Sequence, residues 1–290
     1  MASFALLERT LIAPSFLIIG SQKAATTSLH YYLKQHPLIK TPKQKEIRFF
    51  CVDKKYQKGT AKYHKFFQFR SNTLEENKPY ISFEATPENM YFPYCAERIS
   101  RYNPDMKLIV SLRNPVNRAY SAWNMLRELR HFDNRFGPIK PLSRLAQSYR
   151  DNVPSNFAKI VFHGEHLPSF EELIALEMQY IKQKSTFFEP SILRRGFYLE
   201  QLKNILKYFK KEQLLIVETK ELKQDLPNQL NKILNFIDLE NYDWTQADTQ
   251  VKHKRAYLEQ MQTQTKERLE AFYKPYNEAL FEFLGKSYEW

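Results

Sequence analysis

Four consecutive apolar residues, Phe16-Leu17-Ile18-Ile19, stand between Pro14 and Gly20 and read as a short buried strand. Gly20 to Ala25 forms a compact polar loop, and from Thr26 onward Leu29, Tyr32 and Leu33 fall at helical spacing. A strand, a tight loop with one lysine and then a helix make a cradle for a phosphate. The loop N–H groups and the helix N-terminus point at the anion. Lys23 adds a point charge, and Thr26, Thr27 and Ser28 add hydroxyls in the first turn. An ordinary strand-to-helix connection has the same outline. The loop is not a Walker A box, G-x-x-x-x-G-K-[ST], because its lysine follows the glycine by three residues.

At 290 residues the chain is long enough for one large α/β domain or two small ones, each with a real core. Aromatic residues make up 15%, which argues against disorder. Lysine and arginine number 44 against 32 acidic residues, a net charge of +12. Such a balance suits an anionic small molecule, nucleic acid or a membrane surface, and the dispersal of the charge weakens the nucleic-acid reading. Cys51 and Cys95 offer neither a disulfide framework nor zinc-ligand spacing, so a reducing compartment is expected. Glu8 and Arg9 precede the first apolar run without a cleavage site, and Leu11 to Ile19 is far short of the ~20 residues of a membrane helix. A cytoplasmic protein is expected.

Further along, Lys45-Glu46-Ile47-Arg48-Phe49-Phe50 is a charged cluster running into two phenylalanines. Residues 54–77 read as irregular or short-helical cover. Tyr80 to Thr86 reads as a strand ending at Pro87, with Glu84 open to a plain capping or salt-bridging role. Met106 to Leu112 is a second core strand. It runs into Arg113-Asn114-Pro115, where Asn114 suits a helix N-cap and Pro115 the first helical position. Val116, Ala119, Tyr120, Trp123 and Leu126 then make one apolar stripe, and Arg118 reads as a solvated or salt-bridged helix residue. Arg127 to Arg150 is expected as loop and short helix. Ser169 to Glu172 is a capping box opening another helix. Arg194 to Tyr198 opens a helix, Leu214 to Val217 is a third core strand, and Pro227 to Ile237 is helical. Tyr198 fits a core aromatic as well as a ligand contact.

These segments, in this order, resemble sulfotransferases that use 3′-phosphoadenosine 5′-phosphosulfate (PAPS), the heparan-sulfate type and its bacterial relatives. The first loop is similar to their phosphosulfate loop, G-x-x-K-x-G-T-[ST], with Ala25 where the family has glycine. An alanine there must avoid positive φ or tolerate a cost of about 1 kcal/mol. Glu46 matches the K-E-x-x-F-F glutamate, which implies the catalytic base, and Arg48 replaces a common histidine. Glu84 falls in a segment that resembles the family's G-E-x-[ST]-P, which follows a strand and lines the acceptor side. Arg113, Arg118 and Ser121 match R-N-P-x-x-R-x-x-S, in which the first arginine and the serine hold the 3′-phosphate. Lys252 to Tyr257 resembles the K-G-R-x-Y loop, with Arg255 and Tyr257 matching and Lys254 in the glycine place. Leu269 to Leu280 resembles the terminal L-x-x-F-Y-x-P-x-N-x-x-L helix, with Phe283 also expected to pack on the core.

The resemblance implies a single P-loop-like α/β domain over residues 15–290 after a short lead-in at 1–14, with a mainly parallel central sheet. Residues 127–190 would be an insert shaping the acceptor cleft. It implies PAPS as donor, PAP as product, no metal, and a saccharide or small hydrophilic acceptor. Nucleic acid and membrane are not expected partners. Gly20, Gln22, Lys23, Ala24, Ala25, Thr26, Thr27, Ser28, Arg113, Ser121, Tyr198, Lys254 and Arg255 would meet the nucleotide. Lys23 and Glu46 would carry the chemistry, and Lys45, Arg48 and Glu84 would face the acceptor. Two other readings compete. A P-loop kinase requires a strand ending in a magnesium-binding aspartate, where this chain has Arg113. A nucleic-acid binder requires salt-sensitive binding without a small cofactor.

Overall fold

Phe16, Leu17, Ile18 and Ile19 are 0–1% exposed, as a parallel strand covered on both faces must be. The computed structural model describes residues 9–71, 74–75, 77–136, 167–183, 191–249, 257 and 259–290. In chain order its strands are β1 (Arg9–Leu11), β2 (Pro14–Gly20), β3 (Ile39–Lys40), β4 (Gln68–Arg70), β5 (Ile81–Ala85), β6 (Lys107–Leu112) and β7 (Leu214–Glu218). Its helices are α1 (Thr26–Leu33), α2 (Asp53–Tyr56), α3 (Thr60–His64), α4 (Glu88–Tyr91), α5 (Pro93–Tyr102), α6 (Pro115–Phe136), α7 (Phe170–Lys182), α8 (Tyr198–Ile205), α9 (Thr219–Gln224), α10 (Leu226–Phe236) and α11 (Thr263–Leu284).

The described residues fall into two compact units. One is drawn from Met1–Ser21, Ala25–Leu112 and Ile205–Lys254, the other from Gln22–Ala24, Arg113–Asn204 and Arg255–Trp290. The first is built on a five-stranded sheet of order β3-β5-β2-β6-β7 in which every pairing is parallel. This is the parallel α/β architecture expected of the chain. With β2 at the centre, the loop that leaves its carboxyl end sits where open α/β sheets bind ligands. Phe16 and Phe83 stack across β2 and β5 at 4.6 Å, and Leu29 of α1 and Ile233 of α10 complete the same core.

In the second unit α6 starts where the sequence places it. Asn114 Oδ1 accepts from Val116 N (2.9 Å) and Asn117 N (3.1 Å), and Pro115 fills the first helical position. The stripe of Val116, Ala119, Tyr120, Trp123 and Leu126 is buried, with Trp123 and Tyr120 against Phe170 of α7. Ser169 and Glu172 make the reciprocal capping box of α7.

Several expectations need correction. The lead-in contains β1, which pairs antiparallel with β4 in a separate two-stranded ribbon. The pairing is long-range and each strand is only three residues long, so periodicity gave no sign of it. α6 runs on to Phe136, past the loop expected from 127, because no proline or glycine breaks it before Gly137. Arg118 is fully buried, not solvated, and Phe283 is 40% exposed instead of packed on the core.

Candidate active site

The loop after β2 departs from ordinary turn geometry at two non-glycine positions. Lys23 has φ 68° and Ala25 φ 59°. The alanine in the glycine position therefore adopts the left-handed conformation rather than avoiding it. Gly20 is required for space: a Cβ there would lie 2.5 Å from Met90 Cβ of α4. Ala25 is the N-cap of α1 and supplies no side-chain cap, and no acidic residue occupies the first turn. The N-terminal amides of α1 thus remain suited to an anion. Thr26 and Ser28 are buried, while Gln22, Lys23 and Thr27 are half-buried and Ala24 is fully enclosed.

Arg113 leaves the end of β6 and donates from Nη1 to the carbonyl oxygen of Lys23 at 3.1 Å. Tyr198 donates its hydroxyl to the carbonyl oxygen of Arg113 at 2.7 Å and is 1% exposed. It thus holds the arginine's main chain from within the core, in keeping with the core-aromatic reading that the sequence left open beside a ligand contact. Ser121 lies two turns along α6 and is 4% exposed. Lys254 and Arg255 lie outside the described residues.

The turn that precedes α8 is gripped from three helices. Glu177 of α7 accepts from Ser191 Oγ and from the N–H groups of Ile192, Leu193 and Arg194. Arg118 of α6 donates to the carbonyl oxygen of Ile192, and Tyr273 of α11 donates to that of Leu193 at 2.6 Å. A Cβ on Gly196 would meet Tyr273 at 2.9 Å and Pro115 at 3.0 Å. This buried scaffold fixes Tyr198, which in turn fixes Arg113.

In the sheet unit, Glu46 sits between two cations. Lys45 Nζ lies 2.9 Å from its Oε1 and Arg48 Nη2 3.3 Å from its Oε2. Burial pushes the carboxyl up, but the charges and hydrogen bonds of Lys45 and Arg48 outweigh it and hold the group below the usual carboxylate range. Glu46 is therefore ionised at neutral pH and able to accept a proton. Arg48, itself at φ 59°, also reaches Glu88 Oε1 at 3.4 Å. Glu84 was expected to face the acceptor. Its side chain is 0% exposed and hydrogen-bonded inside the protein, so it lies beneath the Lys45–Arg48 segment instead of on its surface.

Residues 13–275 match the sulfotransferase domain model. The chain belongs to the sulfotransferase domain family. This sulfotransferase is 24% identical over 332 residues to the membrane-associated sulfotransferase kil1 of Dictyostelium discoideum, covering 97% of this chain and 67% of that protein. It is 25% identical to the mouse heparan sulfate glucosamine 3-O-sulfotransferase 6, with 96% and 73% covered. Human bifunctional heparan sulfate N-deacetylase/N-sulfotransferase 3 is 27% identical over 83% of this chain, which spans 24% of that longer protein. A sulfotransferase crystal structure from Alicyclobacillus acidocaldarius shares the fold, with a TM-score of 0.65, 23% identity and 96% and 98% of the two chains covered. Among the described residues no helix is long and apolar enough to cross a membrane.

Of two further residues of this sulfotransferase, the sequence placed His30 in the first helix without a catalytic role and gave no sign of Glu88. His30 on α1 feels the charges of Lys45 and Glu46, and its ring lies 5.2 Å from that of Phe83. Burial first, then Lys45 and Lys34, brings its pKa down to about 4, so it is a neutral imidazole at physiological pH. Its place one turn after Thr26 was the available signal. Glu88 stands two residues after Thr86, just beyond the recognised segment, and only Arg48 shows what it is for.

Proposed function

We propose that this sulfotransferase moves the sulfuryl group of PAPS to a hydroxyl or amine of a saccharide or small hydrophilic metabolite, leaving PAP. The observation that carries this reading is the hydrogen bond from Arg113 Nη1 to Lys23 O, which joins the candidate 3′-phosphate residue to the loop lysine. The uncapped, acid-free N-terminus of α1 supports an anionic ligand at that loop. Lys23 and the loop amides would neutralise charge on the departing phosphate. Arg113 and Ser121, with Lys254 and Arg255, would hold the 3′-phosphate. Glu46 would take the proton from the acceptor, a contribution on the order of 10²–10⁴-fold. As in phosphoryl transfer, positioning and charge do most of the work, and lysine and arginine supply the charge without a metal.

The acceptor would meet Lys45, Glu46 and Arg48, with residues 127–190 shaping its cleft within one catalytic domain over 15–290. We also propose a cytoplasmic, bacterial-type enzyme without nucleic-acid or membrane partners. Saccharide acceptors are suggested by the names of the heparan sulfate relatives. Calorimetric titration with PAP in the absence of magnesium, beside ATP and an Arg113→Ala variant, tests the reading. Micromolar PAP binding lost in the variant supports it. No binding, or equal preference for magnesium-ATP, would return the kinase reading.

A further inference from the structure

The Lys45–Arg48 segment has almost no regular secondary structure, yet its main chain is held at five points, one of them Glu46 O, which accepts from Gln44 Nε2 at 2.8 Å. Ala85 N donates to Lys45 O at 3.2 Å, and Ile47 N donates to Glu84 Oε2 at 2.9 Å. Lys55 Nζ donates to Ile47 O at 2.5 Å, and Arg48 N donates to Thr86 Oγ1 at 3.4 Å. Thr86 Oγ1 in turn donates to Glu84 Oε2 at 2.9 Å, and Tyr63 OH donates to Glu84 Oε1 at 3.2 Å. Glu84 is thus the hub: one oxygen serves both the Ile47 amide and the threonine that holds Arg48. A fully buried carboxylate is costly unless its lone pairs are filled, and here they are filled by Tyr63, by Thr86 and by the Ile47 amide of the segment that carries the candidate base.

We propose that Glu84 is the positioning residue for Glu46, fixing the Lys45–Arg48 turn through Ile47 and Thr86 when ionised and relaxing its hold when it takes up a proton from solvent. The proposal deepens the sulfotransferase reading and rests on it for the role of Glu46. A charged acceptor makes hydrogen bonds roughly twice as strong as a neutral one, so protonation weakens the hold without removing it. Burial, the largest cause, raises the Glu84 carboxyl to about 7, and the nearby Glu46 charge adds to the rise. The change of state therefore falls at neutral pH.

The groups around Glu84 leave few other sources for such a change. Tyr63 of α3 and Tyr102 of α5 are pushed further up by burial and by Glu84 itself, and the Cys51 thiol is likewise raised by burial. Lys55 of α2 is lowered by burial but holds Ile47 O. Arg48 stays charged. His30 of α1 packs on Phe83, whose side chain alternates to the face of β5 opposite Glu84, and is already neutral. His64 of α3 lies 2.9 Å from the Tyr102 hydroxyl and is the group to control for.

The test combines the amide signal of Ile47 with transfer rates from PAPS to a glucosamine-terminated oligosaccharide across pH 5.5–8.5. Glu84→Gln keeps the shape and mimics the neutral acid. In the wild type the Ile47 amide should titrate near pH 7, and kcat should fall about three- to tenfold below it, with KM and PAP affinity unchanged. Glu84→Gln should sit at the low-pH plateau for both readouts at every pH, while His64→Gln should keep both transitions. An Ile47 amide that does not titrate near neutrality, or a Glu84→Gln variant with wild-type kcat and pH limb, would overturn the proposal. If wild type transfers nothing from PAPS, the donor reading fails, and the Ile47 signal still decides the clamp.

Discussion

Arg113 reaches back to the main chain of Lys23, donating from Nη1 to its carbonyl oxygen at 3.1 Å. The two cations of the proposed nucleotide side are therefore not independent: the guanidinium that would bind a phosphate also shapes the loop that presents the lysine. Arg113→Lys keeps the charge but loses the planar fork. PAP affinity should fall about 10- to 100-fold by calorimetry, since a point charge cannot replace paired donors. Unchanged affinity would remove Arg113 from the site.

Ala25 holds φ 59° where glycine would be free of strain. The left-handed conformation costs a non-glycine residue about 1–2 kcal/mol, partly offset by the larger chain entropy glycine loses on folding. Ala25→Gly should leave urea-unfolding stability equal or raised by up to about 1 kcal/mol, and Ala25→Val should lower it by about 2 kcal/mol. A clear loss of stability in the glycine variant would contradict the geometry.

Glu84→Gln should show a pH-dependent stability difference. The folded carboxyl is raised from 4.5 to about 7, so the stability it contributes is present below pH 4.5 and lost as pH rises through 7. The glutamine variant escapes that loss. Relative to wild type it should gain on the order of 3 kcal/mol between pH 4.5 and 8, read by denaturant unfolding at each pH. A constant offset would mean that Glu84 does not titrate near neutrality.

Glu177 tests the scaffold behind Arg113. Glu177→Ala would strand the Ser191 hydroxyl and the N–H groups of Ile192, Leu193 and Arg194. Loss of about 3–5 kcal/mol is expected, together with weaker PAP binding through Tyr198. Stability within 1 kcal/mol of wild type would mean that the turn needs no such grip.

The sheet was legible because β2, β6 and β7 are continuous apolar runs, and the helix starts because Asn114 and Ser169 are strong local caps. Lys23 was a candidate from the strand–loop–helix pattern itself, whereas Glu46 and Arg113 were candidates only through the family resemblance. What stayed hidden depends on contacts distant in sequence. β1 finds β4 across more than fifty residues, and nothing local marks either strand. Arg118 and Glu177 look like ordinary surface charges until Ser191–Arg194 is brought between them. Glu84 carried the right motif, but only burial tells a carboxylate that meets the acceptor from one that lies under the floor.

The five restraints on the Lys45–Arg48 segment end on main-chain atoms: Lys45 O, Glu46 O, Ile47 N, Ile47 O and Arg48 N. None of them depends on which side chain occupies positions 46 and 48. The turn is a socket whose fittings can be exchanged without rebuilding the wall behind it. Side chains at 46 and 48 can therefore be exchanged one at a time on an unchanged backbone, within the limit that φ 59° sets at position 48.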